Sequence, residues 1–177
     1  MRRIAVVGPG GAGKSTLARE LGRRLGIPVV HLDRHFWGPG WTPTPRDEWR
    51  AVQAELLAGD AWVVDGNYGA TYDVRFQRAD TVIVLDLPRL RCIAGALRRS
   101  LRHRGRDVQA AGCPERVRLE FLRWIWRYRR DSRPRLDAAL ARHADGLRIV
   151  EMRSRREVAA FLERAPRAAE PRDGASA

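Results

Sequence analysis

Of the 34 cationic side chains in this 177-residue chain, one is a lysine, Lys14; the others are all arginine. Cysteine is almost as scarce. Cys92 and Cys113 stand alone, without C-x-x-C spacing, which argues against a disulfide framework and reads as two reduced thiols in a cytosolic protein. Long apolar runs are missing too. None approaches the roughly 18 residues of a membrane span, and the stretch after Arg2 and Arg3 is too short for a signal peptide and runs straight into glycines. The reading is a soluble, cytoplasmic protein without a membrane partner. Acids number 21 against those 34 cations, a net charge of +13. That surplus suits a polyanion, whether nucleic acid, an anionic membrane surface or a triphosphate, and does not choose among them. The length fits one domain, placed at residues 1–164. Residues 165–177 lack apolar periodicity and read as a disordered tail.

What the lone lysine does is suggested by its neighbours. Arginine ends in a wide planar fork, whereas lysine ends in a compact charge on a slim stem that a glycine-walled pocket can admit. "GPGGAGKS", Gly8 to Ser15, fits G-x-x-x-x-G-K-[ST], a loop whose backbone N–H groups cradle nucleotide phosphates. The cradle would be Gly8, Pro9, Gly10, Gly11, Ala12, Gly13, Lys14, Ser15 and Thr16. Lys14 would reach the β and γ oxygens of ATP, and Ser15 would offer its hydroxyl to Mg²⁺. The same letters satisfy a dinucleotide fingerprint, with Gly8, Gly10 and Gly13 as G-x-G-x-x-G and Asp33 twenty residues beyond Gly13. The phosphate-loop reading is preferred because Lys14 and Ser15 follow directly and because 177 residues leave little room for a separate substrate domain. The setting agrees: "RRIAVVG" reads as a buried parallel strand and "KSTLARELGRRLG" as an amphipathic helix. Strand, glycine loop and helix N-terminus together make an anion site.

Extended and helical patterns alternate along the chain, which predicts an α/β fold: a mostly parallel five-stranded sheet flanked by helices in three layers. "IPVVHLD" reads as a second strand ending at Asp33. "WGPGWTPTP" reads as a proline-rich loop without regular structure. A helix follows, with Thr44 as N-cap, Pro45 as its first residue and Asp47 in its first turn. "AWVVD" and "ADTVIVLD" are further strands, and Pro88 opens a helix to about His103. "RGRDVQAAGCPE" interrupts the helical pattern. "RVRLEFLRWIWRYRR" resumes it, with Val117, Phe121, Trp124, Ile125 and Tyr128 on one stripe. "LRIVEM" is the fifth strand, and Ser154 with Glu157 forms a capping box for the last helix.

"GPGGAGKST", "HLD", "VVDGNY", "ADTVIVLDLP" and "GCPERVRLEFLRWIW", in that order, resemble the family of DNA topology modulation proteins. That family is in turn similar to the adenylate kinase and shikimate kinase group of P-loop phosphotransferases. The likeness spans roughly residues 3 to 150 and implies ATP-dependent phosphoryl transfer to a small hydroxyl- or phosphate-bearing acceptor. "VVDGNYG" is similar to the D-G-F-P-R stretch of nucleoside monophosphate kinases, whose aspartate serves the metal, so Asp65 is preferred to Asp86 as the magnesium carboxylate beside Ser15. Asn67 and Tyr68 replace phenylalanine and proline, and the arginine that grips an acceptor phosphate in those kinases does not follow at once. Resemblance to small-molecule kinases suggests that Asp33 orients or deprotonates the acceptor hydroxyl. Arg98, Arg102, Arg104 and Arg106 bracket the interruption where related kinases carry a mobile lid, placed at about residues 103–115. Arg98, Arg102 and Arg106 are the candidates to meet the transferring phosphoryl group. His31, Asp33 and His35 alternate as metal ligands on a strand would, but the strand is expected to end at Asp33 and the four histidines form no further cluster. Arg123, Arg127 and Arg130 run beside Trp124 and Trp126. That pairing can bind single-stranded nucleic acid, but the tryptophans are assigned to the core. An ATP-dependent nucleic-acid-binding protein is the alternative.

Overall fold

The three central strands, Arg3–Val7, Trp62–Asp65 and Thr81–Leu85, are largely apolar runs buried on both faces, and such runs assemble into a covered parallel sheet; the edge strands Val29–His31 and Arg148–Met152 are more exposed. A computed structural model describes residues 1–107 and 109–166. In chain order they form β1 (Arg3–Val7), α1 (Lys14–Leu25), β2 (Val29–His31), α2 (Asp33–Phe36), β3 (Trp37–Gly38), β4 (Thr42–Pro43) and α3 (Arg46–Leu56). There follow β5 (Trp62–Asp65), α4 (Tyr72–Phe76), β6 (Thr81–Leu85), α5 (Arg89–Arg102), α6 (Leu119–Asp131), α7 (Arg133–Arg142), β7 (Arg148–Met152) and α8 (Arg155–Arg164). The sheet order is β2-β5-β1-β6-β7 and every pairing in it is parallel. This is the expected three-layer α/β architecture, with β1 in the middle.

Side chains of β1 alternate between two cores. Ile4 and Val6 face Leu17, Ala18 and Leu21 of α1 and Cys92 and Ala96 of α5. Ala5 and Val7 face Trp49 of α3, Tyr72 and Phe76 of α4, and Leu136 and Ala139 of α7. Ala165 packs on the first core; residues 167–177 of the expected tail lie outside the described residues. Among the described residues no helix is long and apolar enough to cross a membrane.

The structure corrects several local expectations. β2 ends at His31 rather than Asp33, and Asp33 opens the short α2. "WGPGWTPTP" is not structureless: β3 and β4 pair antiparallel, Trp37 with Pro43 and Gly38 with Thr42. The reversal uses Gly40 at φ 71° and Trp41 at φ 67°, and a two-residue edge ladder can tolerate a proline. Thr44 does not cap α3. Its hydroxyl donates to the Phe36 carbonyl at 2.8 Å, and Pro45 takes the cap position instead. Val117 lies before α6 and is 48% exposed. Trp126 points outward beneath the Arg89 guanidinium, 4.0 Å from its ring centre, whereas Trp124 packs on the core. The capping box of α8 is present, with the Ser154 hydroxyl accepting from the Glu157 N–H.

α5 lies so close to the Gly8–Ser15 loop that side chains would not fit. A β-carbon on Gly11, already at φ +75°, would stand 2.0 Å from the Cys92 carbonyl oxygen, and one on Gly95 would stand 2.4 Å from the Gly11 carbonyl oxygen. Glycine to alanine inside a helix ordinarily stabilises by roughly 0.5–1 kcal/mol. Gly95→Ala is expected to do the opposite, lowering the thermal midpoint, because α5 must back away from the loop; a raised midpoint in a calorimetric scan would refute this packing.

Candidate active site

β1 delivers the loop to the carboxyl edge of the sheet, where open α/β sheets bind ligands. α1 begins at Lys14 behind Gly13, and no side chain caps its first turn. Its leading N–H groups are therefore available to an anion. Lys14 is partly buried and folds back so that Nζ donates to the Pro9 carbonyl at 3.0 Å. Desolvation pulls its pKa below the usual lysine value; Asp33 and Asp65 oppose that shift, and Arg99 adds to it. Two carboxylates and one guanidinium thus converge on the only lysine.

Asp65 closes β5 beside β1, in register with Val6. It is 5% exposed and fully engaged: Ser15 Oγ donates to Oδ2 at 2.5 Å, and His31 Nδ1 lies 2.5 Å from Oδ1. Hydroxyl and carboxylate oxygens side by side are the hard donors that Mg²⁺ takes, the rest of its shell coming from substrate phosphates and water. Asp86 is committed elsewhere, paired with Arg129 at 3.1 Å and Arg133 at 3.6 Å. His31, Asp33 and His35 do not converge. His31 serves Asp65 and Asp33 accepts from the Tyr68 hydroxyl at 2.5 Å, and no group of three His, Cys, Asp or Glu side chains among the described residues could hold an ion.

The turn after Asp65 organises the rest. Asn67 Oδ1 accepts from the Gly8 N–H at 3.0 Å, tying the turn to the root of the loop. Tyr68 reaches Asp33, and its ring packs against Phe36 and Trp49. Burial is the main cause raising the Tyr68 pKa, with Asp33 adding to it, so the phenol keeps its proton as a donor. Beneath the turn lies Arg75, 1% exposed. Its guanidinium donates to the carbonyls of Gly66, Asn67 and Tyr68 at 2.8, 3.0 and 3.1 Å and stands over the Tyr72 ring. Burial pulls its pKa down to about 10. Sequence reasoning passed over Arg75, and its position just before Phe76 in a short helix carries no distinctive pattern.

Arg98, Arg102 and Arg106 lie on exposed surface, and none forms an ion pair with another described residue. Arg99, one position along α5 from Arg98, turns inward instead. It perturbs Lys14, stands 5.8 Å from the Phe121 ring centre, and pairs with Glu115 at 3.3 Å. Glu115, 3% exposed, also accepts from Ser100 Oγ at 2.7 Å and Gln109 Nε2 at 3.1 Å. The segment between α5 and α6 docks on the β3–β4 hairpin, with the Gly40 N–H donating to the Gly112 carbonyl and Cys113 Sγ donating to Gly38. Periodicity alone could have found Arg99, because it shares the inward face of α5 with Cys92 and Ala96.

The chain superposes on a shikimate kinase from Acinetobacter baumannii, solved in complex with shikimate, with a TM-score of 0.52, 19% identity and 92% coverage of each chain. It also superposes on a shikimate kinase from Bacteroides thetaiotaomicron, with a TM-score of 0.53, 16% identity and coverage of 92% of this chain and 95% of that one. This is the shikimate kinase-like P-loop fold. No family model matches the chain, and no curated protein matches it in sequence. What these structures share with the topology-modulation resemblance is the P-loop kinase architecture, not the DNA role in that family's name.

A base whose pKa is lower in the folded than in the unfolded state opposes folding at every pH below its unfolded value, a range that for Lys14 includes neutral pH. Lys14→Met is therefore expected to raise the thermal midpoint of the ligand-free protein, by about 2–4 °C for each kcal/mol recovered. A lower midpoint would show that the Pro9 contact outweighs the desolvation.

Proposed function

We propose that this protein is an ATP- and Mg²⁺-dependent phosphotransferase acting on a small hydroxyl-bearing acceptor. The observation that carries the reading is the bond from Ser15 Oγ to Asp65 Oδ2 beside Lys14, at the mouth of a glycine loop whose helix N-terminus has no side-chain cap. In this reading the backbone N–H groups from Gly10 to Thr16 hold the ATP phosphates. Lys14 leaves the Pro9 carbonyl for the β and γ oxygens, and Ser15 and Asp65 hold Mg²⁺. The metal supplies neutralisation of charge between the β- and γ-phosphates.

Asp33 serves the acceptor. Tyr68 occupies Oδ1, which leaves Oδ2 to accept the proton of the attacking hydroxyl. Tyr68 is thus a positioning residue, fixing which carboxylate oxygen faces the acceptor. Arg99 is the lid-side cation nearest the reaction, and Glu115 holds it in place. Arg98, Arg102 and Arg106 would contribute only if the lid moved.

The test is a panel of nucleosides, nucleotides and small alcohols scored for ADP formation above the rate without acceptor, with ATP binding followed by calorimetry. Lys14→Ala should abolish ATP binding. Asp65→Asn should make turnover depend steeply on magnesium. Asp33→Asn should lose turnover while keeping ATP affinity, and Tyr68→Phe should lower kcat more than it changes KM. Arg99→Ala should lose about a hundredfold or more in turnover, the scale for a preorganised transition-state donor, with Arg98→Ala losing far less. Undiminished ATP binding by Lys14→Ala would reject the reading, and an Arg98 effect exceeding that of Arg99 would reject the lid assignment.

A further inference from the structure

His31 is the last residue of β2, and the parallel register sets it directly beside Asp65, the last residue of β5. Before it, Val29 pairs with Val63 and Val30 with Val64. Just beyond it, the Leu32 N–H donates to the Asp65 carbonyl at 3.1 Å. Backbone contacts on both sides thus align the two residues, and the imidazole meets the carboxylate with Nδ1 2.5 Å from Oδ1. Both side chains are largely buried, so water competes little for the contact.

Asp65 therefore has one side-chain donor on each oxygen. Ser15 Oγ serves Oδ2 from the start of α1, and His31 Nδ1 serves Oδ1 from the neighbouring strand. A carboxylate only accepts, so Nδ1 is the ring nitrogen that carries a proton in this contact. Among the described residues no other side chain donates to Oδ1. The arrangement also keeps Asp65 off the lysine. Lys14 is close enough to feel the Asp65 charge, yet its Nζ donates to the Pro9 carbonyl and forms no ion pair with another described residue. An aspartate with Oδ1 vacant would have an oxygen to turn toward that amine.

We infer that His31 is a positioning residue for the magnesium carboxylate, its Nδ1–H holding Oδ1 so that Oδ2 and the Ser15 hydroxyl face the phosphate loop together. This rests on the phosphotransferase reading above. The alternation of His31, Asp33 and His35 suggested a histidine ligand; the geometry makes His31 the holder of a ligand instead. Groups that orient a metal ligand in this way typically account for about 10–100-fold in metal affinity.

Two measurements on the full chain test it. In the ligand-free protein, proton NMR should show the His31 Nδ1–H far downfield, and the resonance should move upfield in Asp65→Asn, where the acceptor is neutral. It needs no substitution at position 31, so a His31 variant that failed to fold would leave the inference open to refutation.

Calorimetry of ADP binding over a series of Mg²⁺ concentrations is the second. His31→Phe keeps a ring of similar size without the donor. It should need about tenfold or more Mg²⁺ to reach half of the metal-dependent gain in affinity, with ADP affinity in excess EDTA unchanged. His31→Asn, whose Nδ2 stands where Nδ1 stood, should restore most of the loss. Equal losses with and without metal in His31→Phe would make the histidine a packing residue and overturn the inference. So would an unchanged Mg²⁺ requirement in that variant, failure of His31→Asn to restore it, or absence of the downfield proton. A wild type that binds no ADP, or binds it with no response to Mg²⁺, would reject the phosphotransferase reading itself and the inference with it.

Discussion

The site depends on one buried cation. Arg75 donates to three successive carbonyls, those of Gly66, Asn67 and Tyr68, and so fixes a turn that has no helix or strand of its own to hold it. The carboxylates near the lysine are hung on that turn or on the strand it leaves. Asp65 meets Ser15 and His31 just before it, Asn67 meets Gly8 within it, and Tyr68 meets Asp33 at its end. A guanidinium suits the task because its donors lie in one plane and can span neighbouring carbonyls, which a lysine could not do. Its retained charge is eased chiefly by the Tyr72 ring beneath it, with Asp73 and Asp65 contributing from further away.

A second constraint comes from the opposite side of the loop. α5 approaches at Gly11 and Gly95 with no space for a methyl group, and Phe121 of α6 occupies the space a side chain at Gly10 would need. The loop is thus clasped between the turn after β5 and the two helices α5 and α6. Arg99 and Phe121, one from each helix, meet over it and connect it to Glu115. Rigid support of this kind places charged groups before any ligand arrives, which is where preorganised sites gain over water.

The sheet was readable from its strands because apolar runs such as "IAVV" and "TVIVL" have few alternatives to full burial. The phosphate loop was readable because its spacing and its lysine are local in sequence. What escaped was non-local. The preference for Asp65 over Asp86 came from a resemblance, and the two arginines of α6 and α7 that occupy Asp86 are announced by no pattern near it. Arg75 looks like any other of this chain's many arginines until the fold closes over it. At the end of α5 and just beyond it, charge density drew attention to Arg98, Arg102 and Arg106, but charge density marks solvated surface as readily as a site, whereas helical phase singles out Arg99. α7 was missed because Leu136, Ala139 and Leu140 give it only a narrow apolar stripe.

The isolation of Lys14 also makes the protein chemically addressable. An amine-reactive reagent finds a single side-chain target in the whole chain, at the mouth of the phosphate loop. Desolvation holds the pKa of Lys14 below that of an exposed lysine, so its unique placement comes with a weaker hold on its proton. Its capped backbone contact to Pro9 would have to open for acylation, as it would for a phosphate. The rate of labelling is therefore a direct readout of loop occupancy, obtained without introducing any residue the chain does not already have.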